Sequence, residues 1–189
     1  MIILICGFTA SGKSFASRFV AKKLNYRMIH TSDILRQILE KNSTKNIDLS
    51  NTQMNTGWFE KSDVDMKRNK DKNIDKQLDK YLLNLVNKED NFVLDSWTMP
   101  YLSKKGIKIW LHATLAERSK RAALRGDMSY NEAVRLTQKK DEFSRNHFKK
   151  LYGFTLGKDL DKFDYVLDTN KLTIPQVENA VLNFVKNHK

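Results

Sequence analysis

The sequence predicts an α/β fold in which a parallel sheet is held in a three-layer α/β/α sandwich. Three observations carry this expectation. Apolar runs of strand length alternate along the chain with segments of helical periodicity. The first run, Ile2-Ile3-Leu4-Ile5-Cys6, is continuously apolar, as a parallel strand covered on both faces requires. The stretch "GFTASGKS", residues 7–14, follows at once and leads into a helical pattern.

The elements follow in order. Residues 13–24 place Phe15, Phe19, Val20 and Leu24 at helical spacing, with Lys22 and Lys23 near the end. Residues 26–30 form a short second strand. "TSDILRQILEKN" then reads as a helix with Ile34, Leu35, Ile38 and Leu39 on one stripe and Thr31, Ser32 or Asp33 as its cap. Residues 42–73 are polar, with an island at Gly57, Trp58 and Phe59, and form either a flexible excursion or a small lobe. A helix near 74–88 carries Ile74, Leu78, Tyr81, Leu82, Leu85 and Val86 in register. "NFVLDSW" (91–97) is a strand ending in Asp95, and "IKIWLHA" (107–113) is another. Residues 114–125 make a helix that Gly126 stops. A long helix starts near Tyr130. "DYVLDT" (164–169) is the last strand, and 174–187 is a closing helix with Pro175 in its first turn.

At 189 residues the chain is one domain, 1–189, with room for small inserted lobes. A single cysteine, Cys6, excludes an intramolecular disulfide framework and a cysteine-built zinc site. No apolar stretch approaches the ~20 residues of a membrane span. The N-terminus lacks the basic lead and cleavage site of a secretion signal, so a cytoplasmic enzyme is expected. The net charge is +12. Either a nucleic-acid partner or a site for several phosphates accounts for such a charge. The lysines are dispersed and no aromatic module interleaves with them, which favours small phosphates over nucleic acid. Monomer and homodimer are both open.

Gly7, Gly12, Lys13 and Ser14 fit G-x-x-x-x-G-K-[ST], and each position has a physical task. The glycines let backbone N–H groups approach phosphate oxygens. Lys13 reaches the β- and γ-phosphates, and the Ser14 hydroxyl ligates Mg²⁺. The helix that follows points its positive end at the anion. Strand, glycine loop and helix stand in the required order, which is a P-loop NTPase arrangement. The expected ATP cradle is Gly7, Thr9, Ala10, Ser11, Gly12, Lys13 and Ser14.

Such a loop needs a carboxylate at the end of a neighbouring strand, to steady Mg²⁺ through water and to meet the acceptor. Asp95 is placed for this, although alone it would only start a turn. Asn87-Lys88-Glu89-Asp90 matches the N-K-x-D that reads guanine in GTPases. It precedes the strand instead of following it, so a solvated turn at the opposite sheet edge is expected.

Charge on a moving phosphoryl group calls for guanidinium groups. Arg118, Arg121 and Arg125 come at helical spacing, and Arg145 lies on the next helix, an arrangement suited to a lid. A solvated basic face paired with Glu117, Asp127 or Asp141 is the alternative for each. On the acceptor side, Arg36 falls one turn after Ser32-Asp33. Arg36 and Arg68 are candidate clamps for a monophosphate.

Together, "GFTASGKS", "TSDILRQIL", "NIDKQLDKYLL", "NFVLDSWTMPYL", "IKIWLHATLAERSKRAA", "DEFSRNHFKKLYGF" and "FDYVLDT" resemble the archaeal-type cytidylate kinases, a branch of the nucleoside monophosphate kinases. The likeness runs in order through nearly the whole chain and is weakest at 42–73. It implies a monophosphate-binding lobe at about 31–80, a lid at about 116–146, and Mg²⁺- and ATP-dependent phosphorylation of CMP or dCMP. It places Lys13 and Ser14 in the loop; Ser32, Asp33 and Arg36 at the acceptor; and Arg118, Arg121 and Arg125 in the lid. Two departures stand out. The family often shows an arginine after the second carboxylate, in a run like D/E-G-R, where this chain has Asp95-Ser96-Trp97. Lys140 and His147 stand where arginines are expected. Another P-loop kinase acting on AMP, UMP or an alcohol, or a slow ATPase of RNA processing, are the rival readings.

Overall fold

The computed structural model describes residues 1–41, 43–49 and 73–188. The expectations for Arg68 and for Gly57-Trp58-Phe59 fall outside them. Among the described residues, five strands form one sheet: β1 (Ile2–Gly7), β2 (Arg27–His30), β3 (Phe92–Asp95), β4 (Ile107–His112) and β5 (Tyr165–Asp168). All pairings are parallel, in the order β2-β3-β1-β4-β5. β1 is central, and Ile5 stands level with Asp95 on one side and Ile109 on the other.

The helices are α1 (Lys13–Leu24), α2 (Thr31–Lys41), α3 (Asn73–Lys88), α4 (Met99–Leu102), α5 (Leu115–Gly126), α6 (Tyr130–Tyr152) and α7 (Ile174–Asn187). They cover both faces, which is why β1 and β3 are buried along their whole length. Ile3, Ile5, Val93, Ile109 and Leu111 face Ala16 and Val20 of α1 and Val177, Val181 and Val185 of α7. On the other face, Ile2, Leu4, Ile29 and Leu94 meet Ile34 and Ile38 of α2 and Leu78, Leu82 and Val86 of α3. Cys6 and Trp110 continue that face into an aromatic cluster with Phe8, Phe148, Phe154 and Phe163.

Local signals set the helix ends. Thr114, Ser129 and Thr173 accept from the N–H of Glu117, Glu132 and Gln176 and cap α5, α6 and α7. Two expectations need correction. Gly126 does not stop α5; it is the last helical residue, and Asp127 takes the left-handed turn at φ 47°. Thr31 does not cap α2; its hydroxyl donates to the Asp95 carbonyl, 2.7 Å away, because α2 starts directly where β2 ends. The short α4 was not expected. At Asn87–Asp90, the Asn87 carbonyl takes the Lys105 amine, Glu89 pairs with Arg27, and Asp90 pairs with the N-terminal amine. That turn leads into β3 from the sheet edge opposite Asp95, as expected.

Candidate active site

Residues 7–14 close over the C-terminal end of β1. A Cβ at Gly7 would stand 2.5 Å from the Leu111 carbonyl oxygen and 2.6 Å from Ser11 Oγ, so only glycine fits. Gly12, at φ 101°, precedes α1 and supplies no side-chain cap. The first-turn N–H groups of α1 therefore have no partner within the helix. Three of the loop carbonyls, those of Gly7, Thr9 and Ser11, are bonded from outside the loop, and that of Phe8 from within it. Gly7 O accepts from Trp97 Nε1 at 2.8 Å, and Phe8 O from Lys13 Nζ and from Ser11 N, each at 3.2 Å. Thr9 O accepts from Arg118 Nη1 and Ser11 O from Thr169 Oγ1, both at 3.3 Å. A trans peptide whose carbonyl is held outward presents the adjoining N–H on the opposite side. The loop is thus shaped to offer N–H groups to an anion.

Beside it, Ser14 Oγ donates to Asp95 Oδ2 at 3.0 Å. A hydroxyl and a carboxylate at this spacing are hard oxygen donors suited to Mg²⁺. His30 joins them, with Nε2 3.0 Å from Ser14 Oγ and 3.4 Å from Asp95 Oδ2. Its Nδ1 lies 3.2 Å from Ser32 Oγ. Sequence reading missed His30, because its place depends on the β2–β3 register that sets it level with Asp95. In the first turn of α2, Asp33 is buried and its carboxylate oxygens receive no hydrogen bond. Arg36 Nη1 stands 2.7 Å from Oδ1, an ion pair outside hydrogen-bond geometry. The Asp33–Arg36 pair and the uncapped helix both fit a polar ligand at this edge.

The expected lid arginines divide. Arg118 is 3% exposed and gives two bonds to Asp141, Nη1 to Oδ1 at 3.1 Å and Nη2 to Oδ2 at 2.6 Å. Its Nε donates to Ala113 O. Arg118 thus gives four of its five N–H donors to the protein in this structure. Arg121 gives three of its five. It bonds Glu117, Thr169 Oγ1 and the Thr169 carbonyl. Arg125 lies on the exposed side of α5. Arg145 reaches over the loop, its guanidinium carbon 4.6 Å from the centre of the Phe8 ring, with Arg118 at 5.0 Å from the same ring. Burial pushes the Asp141 carboxyl up, while Arg118 first, then Arg145 and Lys13, pull it back.

The two departures from the resemblance also acquire partners. Trp97 holds Gly7 O and lies 5.9 Å from Lys13 Nζ. His147 Nε2 is 2.7 Å from Oδ2 of the buried Asp75. Thr98 Oγ1 and the Tyr152 hydroxyl both donate to Asp79. These contacts tie α3 and α6 to the turn after β3.

A parallel five-stranded sheet with a glycine loop at the end of its central strand defines a P-loop NTPase fold. A shikimate kinase from Bacteroides thetaiotaomicron shares it, with a TM-score of 0.59 at 14% identity over 100% of this chain and 98% of that one. Residues 2–171 match the model of the cytidylate kinase-like family, and the chain belongs to that family. It is 28% identical to a cytidylate kinase of Saccharolobus islandicus, strain L.S.2.15 / Lassen #1, over 98% of this chain and 90% of that protein. It is 27% identical to a cytidylate kinase of Sulfurisphaera tokodaii over 98% and 97%. Among the described residues, no helix is long and apolar enough to cross a membrane.

Proposed function

We propose that the protein transfers the γ-phosphate of ATP to CMP or dCMP. The observation that carries this reading is the Ser14–Asp95 contact at the mouth of the glycine loop, with Asp33 and Arg36 on the adjoining helix. The family and its cytidylate kinase relatives support the same reaction and the same acceptor.

In this reading the N–H groups of residues 9–14 other than Ser11, whose N–H bonds Phe8 O, and Lys13 Nζ hold the donor phosphates. Lys13 exchanges a neutral bond to Phe8 O for a charge-assisted one. Mg²⁺ would be held by Ser14 Oγ and, through water, by Asp95, and would neutralise charge on the β- and γ-phosphates. Arg36, with Ser32 and Asp33, positions the acceptor. The attacking phosphate oxygen is already ionised, so the chain need not supply a strong base. Its work is alignment and charge neutralisation. The α5–α6 hairpin serves as the lid. Arg145 rests over the Phe8 ring of the loop, Arg125 is the exposed one, and Arg118 and Arg121 act by holding Thr9 and Thr169 in place. The lid excludes water that would hydrolyse ATP.

A coupled assay with ATP, Mg²⁺ and CMP, dCMP, UMP, AMP or GMP tests the reading. CMP or dCMP should give the highest kcat/KM, and Lys13→Ala should lower it on the order of 10²-fold or more. Near-normal turnover by Lys13→Ala, or ATP hydrolysis indifferent to every monophosphate, would defeat it.

A further inference from the structure

Phe8 follows the first glycine of the loop and is 7% exposed. Its ring is fixed from several sides. Trp110 of β4 packs edge-on against it, with 5.5 Å between centroids. A Cβ at Gly157 would stand 2.5 Å from Phe8 Cε2, so the chain beyond α6 closes a second side. Arg145 of α6 lies over the ring, its guanidinium carbon 4.6 Å from the centre and within the ~6 Å reach of a cation–π contact. Among the described residues, Arg145 forms no hydrogen bond and no ion pair. Asp141, one turn back on the same helix, has each oxygen engaged by Arg118. Arg118 also faces the ring, at 5.0 Å, but Asp141, Ala113 O and Thr9 O already locate it. The ring is thus what locates Arg145.

A π face attracts a cation through its charge and consumes no N–H. All five donors of Arg145 therefore stay open. A guanidinium paired with a carboxylate must leave or share that partner before it serves a phosphate. One held by a ring need not, and donors already in place cost no reorganisation when charge develops. Lys13 meets the same residue by a separate route, Nζ to the Phe8 carbonyl, which does not depend on the ring. We propose that Phe8 is a positioning residue for phosphoryl transfer: its ring stations Arg145 at the phosphate loop with every donor free for the transferring group. This rests on the kinase reading proposed above.

A double-mutant cycle of Phe8→Leu and Arg145→Met, read by steady-state turnover of ATP with CMP and with dCMP, separates this role from packing. Leucine keeps an apolar side chain but has no π face. Each single variant should lower kcat and kcat/KM for ATP together, as the loss of an interaction made only in the transition state does. For Phe8→Leu the fall should be about 2- to 30-fold, the range that cation–π contacts span. In the Arg145→Met background, Phe8→Leu should lower kcat no further, while its cost in Tm persists, because packing against Trp110 and Gly157 does not need the guanidinium. Where Phe8→Leu does not fold, pentafluorophenylalanine at position 8 keeps the ring and inverts the charge on its face, and the same pattern is expected. If the two substitutions multiply in kcat, if Arg145→Met leaves kcat unchanged, or if only KM rises, the positioning role is overturned and the kinase reading stands. If the wild type phosphorylates neither CMP nor dCMP, both fall.

Discussion

Asp141→Ala isolates the ion pair that joins α5 to α6 at the point where Arg118 also reaches the phosphate loop. The wild-type pair is nearly sealed, with side-chain exposures of 3% for Arg118 and 6% for Asp141. Removing the carboxylate strands a guanidinium in the interior, and breaking a buried pair from one side costs about 3–5 kcal/mol. Arg118 keeps its bonds to Ala113 O at 3.1 Å and Thr9 O at 3.3 Å, so the lower figure applies. At ~2–4 °C per kcal/mol for a chain of this size, ~3 kcal/mol lowers Tm by ~6–12 °C. Circular dichroism melts measure it. The companion variant Arg118→Met/Asp141→Leu fills the space with apolar groups and should recover most of that loss, because a buried ion pair is rarely better than well-packed side chains. It should nonetheless lower turnover, since Arg118→Met removes the donor to Thr9 O that Asp141→Ala leaves in place. A fall in Tm below ~2 °C for Asp141→Ala, or a double variant no more stable than the single one, would refute this reasoning.

Gly157 and Gly153 make a matched pair at φ +81° and +82°. Gly153→Ala meets nothing within 4 Å and should cost only the backbone term of ~1–2 kcal/mol. Gly157→Ala puts a Cβ 2.5 Å from Phe8 Cε2, which adds ~1–3 kcal/mol of overpacking and, through Phe8, weakens nucleotide binding; equal urea midpoints for the two variants would contradict this. Trp97→Phe keeps a ring but removes the donor to Gly7 O, so stability should fall by about 1 kcal/mol and AMPPNP affinity with it; an unchanged affinity would show the indole bond to be idle. Asp168 is held below the ordinary carboxylate range, chiefly by the N–H of Asn170. A lowered folded pKa gives stability that is complete above the unfolded value, about 3.9, and is lost as pH falls through the folded one. The Tm difference between wild type and Asp168→Ala should therefore be flat near neutrality and narrow below about pH 4, and a difference that widens there would reverse the sign.

The strands were legible because a sheet covered on both faces leaves apolar runs, as in Ile2–Cys6 and Phe92–Leu94. The loop was legible because its glycines, lysine and serine are adjacent in sequence. Pairings between distant elements were not. Nothing local distinguishes Arg118, which is buried against Asp141, from Arg125, which is exposed, since both lie on one helix at basic positions. His30 sits one residue before Thr31-Ser32-Asp33, and only the lateral register with β3 brings it to Asp95. The four-residue α4 is too short to show a helical period.

Trp97 shows how the site departs from the family pattern without losing its logic. An arginine after the second carboxylate adds charge to the phosphate site; an indole adds none. Here the indole instead holds Gly7 O, one of three loop carbonyls bonded from outside. Arg118 holds another and Thr169, itself gripped by Arg121, holds a third. Side chains that in the extended sequence look like phosphate ligands are thus used to fix peptide orientation. Fixed dipoles need no reorganisation when charge develops and act more strongly in a water-poor site. The mobile positive charge near the loop then comes from Lys13, whose bond to Phe8 O is neutral and exchangeable, and from Arg145, which rests on the Phe8 ring. Both converge on Phe8, so the residue between the first glycine and the amides that follow determines how these two cations lie before a phosphate arrives.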